Sequence, residues 1–300
     1  MTDMQNLNGI LVINKEPGYT SHDVVNCVRK IVGMKRVGHT GTLDPDATGV
    51  LPVCLGTATR VSDMLMQTDK EYVAGFLLGV ETDTQDSSGT VLCRRDVSVS
   101  EAQLRQVVSQ FVGEISQIPP MYSAVKIGGK KLYELARKGV EVERVPRQVT
   151  VHALNVQAFE KNQGTLLIRC SKGTYVRTLI HDIGQALGCG ACMTRLVRTK
   201  SSIFSLEDAV SLKQLETLVK AGALLDALIE TDRVFLDLPA WTADEAAARR
   251  FLNGARTTVP LAAGRYRIYG EGDVFLGIGL VSSQNGRNVL ATEKTFYRTS

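Results

Sequence analysis

The chain reads as an α+β protein: a mixed, largely antiparallel sheet flanked by helices, followed by a small β-rich unit. Three observations predict this. Short apolar runs of strand character alternate irregularly with segments of helical spacing, and no dinucleotide-type unit recurs, which disfavours a doubly wound parallel sheet. With 300 residues, 44% of them hydrophobic, the chain can build one large core and one appendage. After Leu238-Pro239 the texture changes, as Gly264, Gly270, Gly272, Gly277, Gly279 and Gly286 punctuate short apolar runs such as Phe275 to Val281. The expected division is 1–231 and 232–300.

The elements follow in order. Ile10 to Asn14 is a short buried strand, Pro17-Gly18 a turn, and Thr20-Ser21 a helix start. Val24, Val25, Val28, Ile31 and Val32 share one helix face, and Gly33 ends it. Tyr72 to Val80 has the apolar character of a central strand, whereas Glu101 to Phe111 has helical spacing at Leu104, Val107, Val108 and Phe111. Leu166 to Cys170 is a strand, Lys172-Gly173 turns the chain, and Thr174 to Arg177 is expected to be extended. Leu179, Ile180, Ile183 and Leu187 then form a helix face closed by Gly188. Residues 206 to 230 are acidic and helical in pattern, and Glu245 to Leu252 forms a short helix.

Charge is modest in total, +4, but unevenly spread. Residues 15 to 36 hold five basic side chains against two acidic, 126 to 148 seven against three, and 169 to 200 six against one. Three such segments point to a polyanionic partner. No run of eighteen apolar residues occurs, and Met1 to Gln5 has neither a basic region nor an apolar signal segment, so a soluble cytoplasmic protein with no membrane partner is expected. The six cysteines are scattered and expected to be reduced. Cys189 and Cys192 have metal-ligand spacing, but a structural zinc site wants four convergent ligands and no second pair exists, so no metal is expected.

The most informative stretch is Gly38-His39-Thr40-Gly41-Thr42-Leu43-Asp44-Pro45-Asp46-Ala47-Thr48-Gly49-Val50-Leu51-Pro52. Glycines, prolines, threonines and two carboxylates make loop chemistry, and the apolar flanks pin both ends, as in a rigidly held functional loop. It is not a phosphate-binding loop, because Gly49 is followed by Val50-Leu51 instead of Lys and Ser or Thr.

This loop, Ile13 to Ser21 and Cys170 to Leu179 together resemble the bacterial tRNA pseudouridine synthase B (TruB) family. The three motifs occur in the family's order, and the likeness spans roughly residues 8 to 200, with a weaker match through the tail. The resemblance implies the pseudouridine synthase fold over 1–231, a small β-rich PUA-like RNA-binding domain over 232–300, and cofactor-free isomerisation of the T-loop uridine at tRNA position 55. Asp44 matches the catalytic aspartate. Covalent addition and elimination to a glycal-type intermediate are both open to such a carboxylate. Asp46 stands where the family commonly has an uncharged residue and is expected to be peripheral.

Tyr72 matches the active-site tyrosine, offering an aromatic face and a hydroxyl. Arg177 is expected to pair with Asp44 and keep it ionised, with Tyr175 on the same face of an extended segment and packed beneath the base. Leu196 lines the pocket, and Lys15 and Pro17 support the catalytic loop. The resemblance assigns His39 to the stack vacated by a flipped uridine. The basic stretch of about 120–148, with Tyr122 and Tyr133 interleaved, suits an insertion that grips RNA.

The expected partner is therefore the tRNA T stem-loop, bound by a monomer without guide RNA, because Glu101 to Arg147 looks like the stand-alone bacterial type. A chain ending near Thr231 keeps every residue assigned to the pocket, so the chemistry is expected to survive loss of the tail. That tail carries eight basic and six acidic residues from Phe235 onward and is expected to add phosphate contacts.

Overall fold

The computed structural model describes residues 7–297, so the Met1 to Gln5 stretch read above lies outside the described residues. Ten strands form the main sheet, whose central path runs Leu228–Ile229, Gly9–Lys15, Thr48–Leu55, Ala191–Ser201, Lys70–Leu78, Gln163–Cys170, Arg147–Glu160 and Gly113–Gln117. Every pairing along it is antiparallel but one. Ala191–Ser201 meets Thr48–Leu55 in parallel, with Val197 beside Thr48 and Arg198 beside Gly49. That seam joins the two halves of the sheet.

Alternation along the Gly9–Lys15 strand explains why its sequence is an unbroken apolar run. Leu11 and Ile13 face the main core with the helices Ser21–Val32, Glu101–Ser109, Val176–Ala186 and Leu212–Lys220. Ile10 and Val12 face the opposite way, into a second buried cluster. Helix ends follow local chemistry. Thr20 and Asp23 form a capping box, Gly33 closes the same helix at φ 67°, and Ser100 with Gln103 caps the next. The central strand stops at Leu78 because Gly79 turns at φ 82°, where a Cβ would lie 2.6 Å from the Arg95 carbonyl oxygen.

Two expectations change. Thr174 to Arg177 is not extended throughout, because the helix begins at Val176 with Tyr175 as its N-cap residue. The apolar face at Val176, Leu179, Ile180 and Ile183 docks on the sheet and draws Arg177 into the first turn. Within 206–230 the only α-helix is Leu212–Lys220, and the rest folds as 3₁₀ turns and the short Leu228–Ile229 edge strand. The basic insertion holds a two-residue hairpin, Lys126–Ile127 with Lys130–Lys131, and the short helix Leu132–Ala136. Lys131 and Arg137 flank the Tyr133 ring at 5.3 and 5.4 Å from its centre.

The C-terminal unit is a five-stranded sheet, ordered Ala240–Thr242, Gly264–Tyr269, Phe275–Gln284, Arg287–Thr295 and Thr257–Thr258, with the Glu245–Leu252 helix packed on it. It does not hang free. Phe235, Ile278 and Phe296 share a buried cluster with Ile10, Val12, Val50 and Cys54 of the main sheet. Phe235, Phe275 and Phe296 form a ring cluster with centroids 5.5 to 6.2 Å apart. A polar tie crosses the same boundary, from Arg60 Nη1 to the Thr295 carbonyl and to its hydroxyl, both at 2.7 Å. No helix of the described residues is long and apolar enough to cross a membrane.

Loss of the tail would therefore strip the cover from one face of the main sheet. Phe235→Ala should destabilise the protein by about 3–5 kcal/mol, as truncation of a buried aromatic does, read from urea unfolding. A chain ended after Thr231 should bind a hydrophobic dye and unfold at lower denaturant than the full chain. Unchanged midpoints for both would show that the tail contributes nothing to the stability of the main sheet.

Candidate active site

Asp44 sits at the crown of the loop between the strands Val37–His39 and Thr48–Leu55. Local bonds fix this loop from below. The Pro45 carbonyl accepts from Lys15 Nζ at 2.7 Å and from the Gly18 amide at 3.0 Å, while the Ser21 hydroxyl accepts from the Leu43 amide at 2.8 Å. Ala47 donates back to the Asp44 carbonyl at 3.1 Å. The motif from Ile13 to Ser21 thus serves as a cradle for the loop. Pro17 itself is exposed in the turn beside Gly18.

A deeper support comes from Arg198, which the sequence reading did not single out. Its side chain is 1% exposed; Nε donates to the Val50 carbonyl at 2.7 Å, Nη2 to Gly41 at 3.2 Å and Nη1 to Thr42 at 3.4 Å. Arg198 also stands opposite Tyr72 in the sheet, and its charge acts on the phenol. Burial pushes the Tyr72 phenol above its ordinary pKa of 10.0, against the pull of Arg198, so the hydroxyl keeps its proton. Leu196, two residues before Arg198 and opposite Ala74, is buried on the same face. The sequence signal for Arg198 was this two-residue offset from an apolar position in a strand; it was counted instead among the basic residues for RNA.

Arg177 approaches from the other side, in the first turn of the Val176–Ala186 helix. It forks onto Asp44, with Nε 3.0 Å from Oδ2 and Nη2 3.3 Å from Oδ1. The remaining donors reach the Thr84 carbonyl at 3.0 Å and the Tyr122 carbonyl at 2.9 Å, with Asp86 Oδ2 at 3.8 Å. Arg177 is 6% exposed and Asp44 40%, so the cation is walled in and the carboxylate faces outward. Desolvation in the cleft pushes the Asp44 carboxyl above the ordinary carboxylate range, Arg177 pulls it down, and Asp86 adds to the rise. Arg177 is thus a counterweight to burial. Asp86, on the turn after Val80–Thr82, was not foreseen.

The other expected residues fall around this pair. Tyr175, half-buried, precedes Arg177 at the helix start. His39 ends its short strand half-buried, and its Nδ1 accepts from the Gly41 amide at 3.2 Å, which leaves the proton of the neutral ring on Nε2. Burial, Arg198 and His22 all lower its pKa below 6.5, so the ring is neutral at pH 7. Lys15 is 1% exposed, and burial brings its ammonium down to about 8 against the attraction of Asp46 and Asp44. Asp46 is exposed and makes no bond to Arg177. The basic segments are accordingly of two kinds. Lys15, Arg177 and Arg198 point inward, while Lys126, Lys130, Arg137, Lys138 and Lys200 remain at the surface.

The assembled group is a carboxylate open to solvent, a guanidinium that balances it, a neutral phenol on a buried cation, and apolar and aromatic side chains around them. It can hold a flat polar ring and present a nucleophile or base to it. No group of three or more potential metal ligands occurs among the described residues, and all six cysteines carry free thiols.

Comparison with known proteins agrees with this geometry. Residues 29–176 match the model of the TruB family pseudouridylate synthase N-terminal domain, and 177–233 match that of the tRNA pseudouridylate synthase B C-terminal domain. The border between the two models falls inside the Val176–Ala186 helix, so the site draws on both. The chain is 49% identical to tRNA pseudouridine synthase B of Alkaliphilus oremlandii over 83% of each protein. It is 44% identical to the Pseudomonas fluorescens (strain Pf-5) protein of that name over 94% of each. Among solved structures it resembles a chain of a Cbf5-Nop10-Gar1 complex, at 30% identity and TM-score 0.74 over 96% of this chain and 85% of that one. A chain of an H/ACA RNP bound to a substrate RNA containing 2'-deoxyuridine gives 28% and 0.73 over 97% and 85%. With likeness of this extent over the sheet, the loop and the arginine that faces it, the chain belongs to the TruB family of pseudouridylate synthases.

Proposed function

We propose that this protein is a tRNA pseudouridine synthase that converts the T-loop uridine at position 55, with Asp44 as its catalytic carboxylate. The observation that carries the reading is the outward-facing Asp44 held in a two-point ion pair by buried Arg177. The reaction is an isomerisation: the bond from C1′ to N1 of uracil breaks, the base turns, and C1′ bonds to C5, which gives up its proton while N1 takes one up. No atoms are gained or lost overall, so no cofactor is required. Asp44 acts on the sugar or the base, and Tyr72 supplies a face for the ring and a neutral hydroxyl for proton movement.

Reaching the uridine requires its extrusion from the loop, at a cost of a few kcal/mol. His39, neutral and planar at the rim, offsets this by filling the vacated stack. Tyr175 and Leu196 bound the pocket, and Lys15 with Pro17 and Gly18 steadies the catalytic loop. The exposed cations of 120–148 grip the T stem-loop, and the β-rich unit of 232–300 adds contacts to the RNA backbone as a PUA-like domain. The enzyme acts as a monomer in the cytoplasm, without guide RNA. Supporting the tRNA over a guided substrate, the identity to the synthase B relatives is well above that to the chains of the H/ACA-type complexes.

Incubation of the protein alone with unmodified tRNA transcript, followed by mapping of pseudouridine, tests this directly. Conversion should occur at the T-loop uridine, and absence of conversion there would overturn the reading. Asp44→Asn should cut single-turnover conversion by at least about a thousandfold with tRNA affinity retained, and Tyr72→Phe by about 10²–10⁴-fold, whereas Asp46→Asn should stay within about threefold of wild type.

The electrostatics give a pH prediction. Conversion requires ionised Asp44, so the rate at saturating tRNA should fall as pH drops through its pKa, and this acid limb should lie above the ordinary 3.8. Arg177 favours the charged form, so in Arg177→Met the limb should move to higher pH. A pH–rate profile of both proteins checks it; a limb that stays in place would separate Arg177 from the ionisation of Asp44.

A further inference from the structure

Tyr175 and Arg177 enter the site at the start of the Val176–Ala186 helix, and that start lacks the usual cap. Tyr175 occupies the N-cap position and makes no capping bond with its side chain. Its backbone is held from outside instead. Gln117, the last residue of the Gly113–Gln117 strand and 2% exposed, accepts from the Tyr175 amide through Oε1 at 3.0 Å. From Nε2 it donates to the Tyr175 carbonyl at 3.3 Å. A side-chain amide thus reproduces one rung of an antiparallel ladder. Of the side chains of this length, only a carboxamide carries both the donor and the acceptor.

Gln117 is also paired in register with Arg147, so the strands entering and leaving the basic insertion both reach this point. A second bond ties the same region to the site, from Arg177 Nη2 to the Tyr122 carbonyl at 2.9 Å. The stem of the insertion and the start of the helix are therefore fastened together beside Asp44.

We propose that Gln117 is a positioning residue of the active site. Its carboxamide sets the backbone of Tyr175, and so aims the Tyr175 ring and the Arg177 guanidinium while tying both to the stem of the insertion. The proposal rests on the reading of this site as the uridine pocket. Misplacement of catalytic groups by about 1 Å can cost about a hundredfold in rate, so loss of the tie should appear in the chemical step more than in binding.

The test uses full-length Gln117→Met, which removes both bonds at similar size, and Gln117→Glu, which keeps the acceptor and loses the donor. Three quantities are read: single-turnover conversion of tRNA transcript at saturation, tRNA affinity, and hydrogen exchange at the Tyr175 amide. For Gln117→Met the rate should fall at least about tenfold with affinity within about twofold. Exchange at Tyr175 should quicken at least about tenfold, while the Leu179 amide, bonded to the Tyr175 carbonyl at 3.0 Å, stays protected. Gln117→Glu should keep the Tyr175 amide protected and give an intermediate rate; it carries the test if the Met variant does not fold. A folded variant with a freed Tyr175 amide and wild-type rate overturns the proposal, as does wild-type protection in Gln117→Met. Should the wild-type protein leave the uridine unconverted, the functional reading fails, and Tyr175 exchange alone then decides whether Gln117 holds the helix start.

Discussion

The guanidinium of Arg198 lies under the floor of the site, 1% exposed, at the single parallel seam of the sheet. A buried cation is tolerable only when its donors are answered, and here they are answered by the carbonyls of Gly41, Thr42 and Val50. The arrangement constrains both partners. The loop that carries Asp44 must present its carbonyls inward, and the strand beside it must come close. Gly49 meets the second demand at φ 101°, since a Cβ there would lie 2.3 Å from the Arg198 carbonyl oxygen. The glycine and the arginine are therefore one feature, seen from two strands.

Around that seam the inward-facing basic residues divide the labour. Lys15 fastens Pro45 from below and Arg177 meets Asp44 from the side; Arg198 carries the backbone on either side of the loop. Each is desolvated and each is held by carbonyl or carboxylate oxygens, so removing an acceptor would leave a buried charge exposed to its full solvation cost. The site is stiff for this reason, and stiffness is what keeps a carboxylate aimed outward while its counter-ion stays behind it. The outward-facing cations of the surface insertion stay solvated and carry no such constraint.

The second buried cluster gives the C-terminal unit a structural part in the fold. Phe235, Ile278 and Phe296 cover the face of the main sheet that the helices leave open, so two sheets and one helical layer share their cores through the same central strands. Separating the chain at 231/232, a little before the change of sequence texture, does not separate its packing.

The sequence by itself determined much. The helix start at Thr20-Ser21, the glycine stops at Gly33 and Gly188 and the apolar periods placed most elements, because those signals act within a few residues of the chain. The loop of Asp44 was legible for a similar reason: its turn residues and flanking apolar runs are local. Tertiary structure decided the rest. Whether Arg198 faces RNA or the core depends on which strand lies beside it, and Tyr72 and Gly49 are distant in sequence. Asp86 and Gln117 are ordinary polar residues until the sheet brings Arg177 and Tyr175 to them. Thr174 to Arg177 became a helix start because its apolar face docks on the core, a gain that strand-like local spacing cannot register. The reach of each effect is the physical reason: caps, turns and periodicity are set by neighbours along the chain, whereas the burial of a charge and the partner that compensates it are set by residues far along the chain that only the folded sheet makes adjacent.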